Sequence, residues 1–268
     1  MPGVPVNSPI VAAIGTAAPA TAGHALAGRF YSEMAVGGFS HVDGSIGFYT
    51  QIAALLRPEF RVLDYGAGRG EQIADDPSPY RRALQNFQGR CAHVEGCDVA
   101  PAVLTNPYLD HAEIIDPAAA LPYADNSFDL IVSRYVFEHV DDPEQVSREL
   151  LRVVRPGGWI CAVTPNSYGY VAIASRLVPN RRHVAALKSA QPDRKAEDVF
   201  PTRYRLNTRA ALQRYFGGRA DIHVYRASAE PAYHFGKPWL YAGFKLLHRL
   251  LPDVLHSQLF IFMRKRAS

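Results

Sequence analysis
The run Asp64-Tyr65-Gly66-Ala67-Gly68-Arg69-Gly70, followed further on by Asp98, has residue types that can hold a nucleoside. Glycines let a ligand approach the backbone, and a carboxylate at a strand end can accept hydrogen bonds from both ribose hydroxyls. The same residue types also serve plain structural ends, since glycines make turns and an acid can cap one. Two phosphate-binding patterns are excluded. The dinucleotide fingerprint GxGxxG needs its third glycine at position 71, where Glu71 stands, and a negative side chain at a helix entrance opposes a pyrophosphate. The phosphate loop GxxxxGK is absent, because no lysine occurs before Lys188. A nucleoside cofactor without phosphate fits what remains, and S-adenosylmethionine combines adenine, ribose and a zwitterionic amino acid.

Group transfer from such a cofactor needs acceptor and donor held in near-attack geometry, and a hydroxyl acceptor must also lose its proton. A neutral imidazole suits that second task. His139, beside Glu138 in Phe137-Glu138-His139-Val140, is the candidate base; the competing reading is that the pair caps and orients the helix that follows. His41 and Asp43 lie in Gly38-Phe39-Ser40-His41-Val42-Asp43-Gly44, either a segment that closes over the cofactor with one of them facing the acceptor, or a plain loop. The segment from Ser167 to Leu206 holds Arg181, Arg182, His183, Lys188, Arg194 and Lys195 and runs into Phe200-Pro201-Thr202-Arg203-Tyr204-Arg205. His41, His183, Arg194 and Tyr204 are candidate acceptor contacts. A solvated basic face explains the cluster of cations equally well.

These residues need a scaffold that brings them to one edge. Apolar spacing predicts a helix from Phe48 to Leu56, stopped by Pro58, and then a strand at Arg61 to Tyr65. Further strands are expected at Ala92 to Asp98, His111 to Ile115, Phe128 to Ser133 and Trp159 to Val163. An amphipathic helix from Asp142 to Val154 is closed by Pro156-Gly157-Gly158, and Asn207 or Thr208 caps another that Gly217-Gly218 ends. Strands at Ile222 to Arg226 and Leu259 to Arg264 finish the chain. Alternating strands and helices imply an α/β, Rossmann-like, doubly wound and mainly parallel seven-stranded sheet, with helical insertions after strand five and between the last two strands. Residues 1–28 read as a flexible tail and 29–268 as a single domain, with a cofactor-binding core at 60–166. Insertions at 167–206 and 238–255 are expected to shape the acceptor site. In the second, Leu240, Phe244, Leu247 and Leu251 are spaced for a core-facing lid helix, the alternative being a helix on a lipid surface.

Four segments in succession, VLDYGAGRG, GCDVAP, LPYADNSFDLIVSRYVFEHV and RELLRVVRPGGWICAVTPN, resemble the ordered motifs of class I S-adenosylmethionine-dependent methyltransferases over about residues 60 to 166. The resemblance implies that Gly66, Ala67 and Gly68 line the methionine portion, that Asp64 supports its amino group and that Asp98 holds the ribose. It places Asp116 to Ala118 beside the adenine, although the gap from Asp116 to Leu121-Pro122 is a residue longer than usual. Ser133, Arg134 and Tyr135 fall near the sulfonium and the acceptor. Similar methyltransferases of the ubiquinone pathway add a Glu three residues before a Glu-His pair and use the cluster for a divalent ion. Tyr135 stands at that position here, so whether a metal takes part is left open. FPTRYRLNT and AEPAYHFGKP resemble methyltransferases of bacterial saccharide and glycolipid pathways. That likeness implies O-methylation of a sugar hydroxyl on an oligosaccharide or a phosphate- or lipid-linked glycan. The alternatives are an RNA, a quinone- or phenol-like small molecule, and a binding protein without catalysis.

The 268-residue chain, 48% apolar and 20% charged, can bury a substantial core. Its net charge of +4 conceals a split: up to Asn166 there are 11 Lys and Arg against 19 Asp and Glu, a balance of −8, and beyond it 18 against 6, a balance of +12. Such polarity suggests that the second part meets an anionic acceptor or carrier. Base-methylating relatives carry Asn or Asp, two prolines and an aromatic after strand four, whereas Ser133-Arg134-Tyr135-Val136 occurs here, which argues against nucleic acid. Cys91, Cys97 and Cys161 have no zinc-ligand spacing, and their odd number argues against a disulfide framework. Pro9 and Gly15 interrupt the only candidate signal-peptide core, and no apolar run is long enough to span a bilayer, so a cytoplasmic location with at most peripheral membrane contact is expected.

Overall fold
The computed structural model describes residues 22–177, 201–232 and 234–267. Three helices lead in: α1 (Ala22–Gly28), α2 (Met34–Gly37) and α3 (Gly44–Leu55). The body then runs β1 (Arg61–Tyr65), α4 (Glu71–Ala74), α5 (Pro79–Gln85), β2 (His93–Asp98), a 3-10 turn, β3 (His111–Ile114), β4 (Phe128–Arg134), α6 (Pro143–Val153) and β5 (Val154–Pro165). It finishes with α7 (Tyr170–Leu177), α8 (Arg209–Phe216), β6 (Ala220–Ala227), α9 (Pro238–Leu250) and β7 (Gln258–Lys265).

The strands form one sheet of seven in the order β3-β2-β1-β4-β5-β7-β6. The first five run parallel, and only β7 is antiparallel to its neighbours β5 and β6. This is the expected doubly wound sheet, with both faces covered as buried parallel strands require. One face packs Leu63, Ile131, Leu150, Ile160 and Phe216 into a continuous core, and the other packs Phe48, Ile52, Val62, Leu130 and Cys161. Alternate residues of β1 and β4 therefore serve opposite layers. All three cysteines are free thiols.

Two expected boundaries move. The helix α6 starts on an Asp142 cap with Pro143 at its first position, but it stops at Val153. Val154 already pairs with Phe128, so Pro156-Gly157-Gly158 lies inside a longer β5 at a register irregularity, and is not a terminator between helix and strand. Gly157 takes φ +77°, and a Cβ on Gly158 would lie 2.8 Å from the Asp129 carbonyl, which explains the glycine pair. Nor is the whole of 1–28 a loose tail. Ala22–Gly28 is helical, and Leu26 and Ala27 join Tyr31, Met34 and Tyr241 of α9 in a third apolar cluster. Residues 1–21 lie outside the described residues.

A buried ion pair network ties this N-terminal part to the sheet domain. Arg81 of α5 donates to both oxygens of Asp76 and to Asp43, whose other oxygen caps α3 by accepting from Ile46 N–H at 2.9 Å. Gln85 adds a hydrogen bond to Asp76 at 3.0 Å. Losing one partner of a buried pair leaves the other charge uncompensated. Replacing Arg81 with Met should therefore cost about 3–5 kcal/mol in equilibrium denaturation, and a cost below about 1 kcal/mol would show that the network contributes little.

Candidate active site
The glycine loop leaves β1 between the ends of β2 and β4. Gly66 and Ala67 both donate their N–H groups to the Cys97 carbonyl, at 2.8 and 3.1 Å. Gly66 has φ +81°, and a Cβ there would stand 2.2 Å from Val136 Cγ2, so this position requires glycine twice over. Gly68 is also left-handed, at φ +54°, yet a Cβ on it would meet nothing within 4 Å. The loop thus presents its backbone to open space. Asn106, which the sequence reading passed over, holds it from behind: its Nδ2 donates to the Ala67 and Gly68 carbonyls at 3.2 and 3.1 Å. No local pattern marks this residue, because its partners lie 39 and 38 positions earlier.

Asp98, at the end of β2, accepts from Gly68 N–H through Oδ2 and from Ala100 N–H through Oδ1, both at 2.9 Å. A carboxylate has about four lone-pair directions, so two remain for hydroxyl donors. The carboxylate of Asp64, one strand over, receives no hydrogen bond among the described residues. Burial first, and then the neighbouring Asp98 charge, push its carboxyl up to about 7, against the opposing pull of Arg134. Two acids beside an open backbone loop are what an ammonium group and a ribose diol would complete. The chemistry of these residues therefore fits an amino-acid-bearing nucleoside such as S-adenosylmethionine.

Asp116, just past β3, is exposed and accepts from Ala118 N–H at 2.9 Å, so in this structure it caps its own turn. The longer loop after it is anchored from α6. Glu149 accepts from Leu121 N–H at 2.8 Å, and Arg152 donates to the Leu121 and Tyr123 carbonyls at 2.9 and 2.7 Å.

Beyond β4 the chain turns sharply. Ser133 is buried, with no hydrogen-bond partner for Oγ among the described residues, and Tyr135 adopts φ +56° while its N–H bonds Val163 O at 2.8 Å. A non-glycine residue in that region is held there by its surroundings. Gln258, at the start of β7, donates to the Tyr135 hydroxyl. Glu138 is buried and accepts from Thr164 Oγ1 at 2.8 Å, while its carbonyl takes Arg203 N–H and Tyr204 N–H at 2.6 and 3.0 Å. Asn207 donates to Thr164 Oγ1 at 2.6 Å and to Pro165 O at 2.9 Å, which leaves Thr208 as the cap of α8. Glu138 is thus a positioning residue that joins three segments. His139 stands 3.9 Å from it through Nε2, and its Nδ1 lies 3.0 Å from Pro201 O. A carbonyl only accepts, so Nδ1 carries the proton and Nε2 is the basic nitrogen of the neutral ring.

The other expected acceptor contacts disperse. His41 has a side chain 71% exposed and pairs with Glu33 at 2.6 Å, and Asp43 is buried against Arg81. Ser40, just before them in the chain, donates to Glu230 at 2.7 Å. Tyr204 has φ +56° and is held by its backbone bond to Glu138. His183 and Arg194 lie outside the described residues. Among the described residues no three His, Cys, Asp or Glu side chains form a metal-holding group. The described basic residues are largely engaged with the protein itself: Arg203 and Arg205 face Asp141, Arg226 pairs with Asp253, Arg266 with Asp221, and Lys265 with the Val154 carbonyl.

Residues 63–162 match the sequence family described as "Methyltransferase domain". The uncharacterized methyltransferase YcgJ of Bacillus subtilis is 36% identical over 106 residues, 39% of this chain and 40% of that protein. A demethylmenaquinone methyltransferase of Halalkalibacterium halodurans is 37% identical over 84 residues, 28% of this chain and 34% of that protein. The chain therefore spans two fifths or less of the length of these curated relatives. The crystal structure of a SAM-dependent methyltransferase from Methanosarcina mazei superposes with a TM-score of 0.51 over 81% of this chain and 98% of its own, at 17% identity, a likeness of fold. The segment from β1 into β5 thus matches a methyltransferase domain, set in the fold that S-adenosylmethionine-dependent methyltransferases use.

Proposed function
We propose that this chain is an S-adenosylmethionine-dependent O-methyltransferase whose acceptor is a sugar hydroxyl of an oligosaccharide or of a phosphate- or lipid-linked glycan. The observation that carries the methyltransferase reading is the Asp64 and Asp98 pair flanking a glycine loop whose Gly68 faces open space. The cofactor, when bound, supplies a methyl group on a sulfonium centre. Asp64 and Asp98 then bind its two polar ends, and the Gly66 to Gly68 backbone sets its depth in the cleft.

The hydroxyl reading rests on His139. With Nδ1 committed to the Pro201 carbonyl, Nε2 takes the proton that an acceptor hydroxyl gives up. The saccharide reading rests on polarity at the same end of the sheet. Ser133 Oγ near the end of β4, Ser167 Oγ after β5 and Gln258 Oε1 at the start of β7 are buried without partners among the described residues. A hydroxyl-rich acceptor can satisfy such atoms, whereas a flat apolar acceptor would leave them unpaired at about 1–3 kcal/mol each.

Three measurements test these assignments. An ammonium ligand needs Asp64 ionised, and burial keeps that carboxyl protonated below about 7. Calorimetric affinity for S-adenosylhomocysteine should therefore rise as pH increases from 5 toward 7 and level off above it, by up to about tenfold per pH unit. Asp64→Asn should abolish the slope, and a wild-type affinity flat across that range would remove Asp64 from the cofactor site. Asp98→Ala should weaken the same affinity by roughly 10- to 100-fold; an unchanged constant would overturn the nucleoside assignment. His139→Gln should lower turnover by about 10²- to 10⁴-fold while cofactor affinity stays the same. The substrate for that assay comes from labelling cell extract with radioactive methyl donor, where label sensitive to ribonuclease would replace the saccharide reading with an RNA one.

A further inference from the structure
The helix α9 is apolar on two opposite sides, and the described residues cover only one of them. Inward, Tyr241 is buried on α1, Phe244 stacks on Tyr170 at 6.1 Å, and His248 Nε2 meets the Tyr170 hydroxyl at 2.6 Å. Outward, Trp239, Leu246 and Leu250 are 71%, 58% and 71% exposed. Their spacing of seven and then four residues returns them to one line along the helix. Phe235, exposed just before the helix, extends that apolar edge. A core-facing lid accounts for the inner row only, since its expected members Leu240 and Phe244 are half-buried and Leu247 is exposed.

Charge decides what the outer row meets. No Asp or Glu occurs from residue 231 to 252, and Lys237 and Arg249 are both exposed. Lys245 is engaged inward, donating to the Phe30 carbonyl at 2.6 Å above the Tyr31 ring. A second copy docking through the same face would bring like charges together, whereas an anionic lipid surface neutralises them. A tryptophan at one end of the row, with cations beside it, is the composition that settles at a bilayer interface.

Topology then gives the docking a purpose. α9 lies between Ala227, at the end of β6, and Gln258, at the start of β7, and Gln258 is also in register with Pro165 at the end of β5. That is the edge of the sheet from which Ser133, Tyr135 and His139 emerge. We propose that α9 seats the protein on an anionic phospholipid surface, with Trp239, Leu246 and Leu250 entering the interface. The proposal deepens the lipid-linked form of the glycan reading, and rests on it for the orientation of the active edge toward the bilayer.

The test uses the full chain and phosphatidylcholine vesicles with or without phosphatidylglycerol. Trp159→Phe leaves Trp239 as the sole tryptophan of the two. Anionic vesicles should then sediment the protein and shift its fluorescence to the blue, with the effect weakening as salt rises. Replacing Trp239, Leu246 and Leu250 together by Ser should reduce partitioning at least about tenfold, while S-adenosylhomocysteine affinity stays unchanged. Should that triple variant not fold, Lys237→Glu with Arg249→Glu should reduce binding to the anionic vesicles. No binding to anionic vesicles, equal binding after either set of substitutions, or self-association that the triple variant abolishes without any vesicle binding would each overturn the proposal. Vesicle binding needs no acceptor, so a wrong glycan assignment would leave these results untouched and appear only in the labelling assay.

Discussion

Two carboxylates at the ends of adjacent parallel strands set the terms for the whole cofactor edge. The register that pairs Tyr65 with Cys97 brings Asp64 and Asp98 to neighbouring strand ends, so the sheet itself enforces the approach of like charges. The protein answers only half of that repulsion. Asp98 is satisfied by the Gly68 and Ala100 amides, and Arg134 offers partial relief to Asp64, whose carboxyl still sits well above the ordinary aspartate range. An acid left in that condition is a standing attraction for a cation, and the glycine loop provides the space for one. The loop's geometry is a consequence of the same arrangement: Gly66 must pass between the Cys97 carbonyl and Val136, and Asn106 fixes the two carbonyls that would otherwise be loose.

Glu138 plays the corresponding part for the acceptor edge. Its side chain reaches β5 through Thr164, which in turn receives Asn207, and its carbonyl receives the amides of residues 203 and 204. A single buried acid thereby joins the turn after β4, the end of β5 and the approach to α8. His139 gains its tautomer from this junction, because the same approach brings Pro201 O to Nδ1. Orientation of the ring is therefore a property of chain segments about sixty residues apart, and removing Glu138 would disturb the ring through that junction.

The strands were legible because buried parallel strands are short apolar runs bounded by glycine, proline or acid. Arg61–Tyr65 matches its expected bounds, and the β4 run FDLIVS needed one added residue. The candidate cofactor residues also leave local marks, glycine at positive φ and acids at strand ends. β5 was misjudged at its start because Pro156-Gly157-Gly158 has the composition of a terminator, while its pairing with β4 decides otherwise. Asn106, Thr164 and Arg81 left no mark at all: each acts through a partner distant in sequence. The role of charge was legible in total and not in detail. A half-chain excess of +12 suggested an anion grip, yet Arg203, Arg205, Arg226, Arg266, Lys245 and Lys265 all contact acids or carbonyls of the protein itself.

One antiparallel strand explains why α9 is connected at the same end of the sheet as the glycine loop. Since β7 runs against β5 and β6, its first residue and the last residue of β6 lie at the same end as the cofactor loop, so the connection between them has to rise there. That connection carries α9, and Tyr241 of α9 receives Leu26, Tyr31 and Met34 from the N-terminal part. The N-terminal segment is also held from below, by Asp43 on Arg81 and by Ser40 on Glu230. α9 and the segment from Ala22 to Gly44 therefore form one clasp with a shared core. A shift of either piece exposes the ring faces of Phe30 and Tyr241, which stack at 4.7 Å, so opening one part of this cover carries an apolar cost for the other.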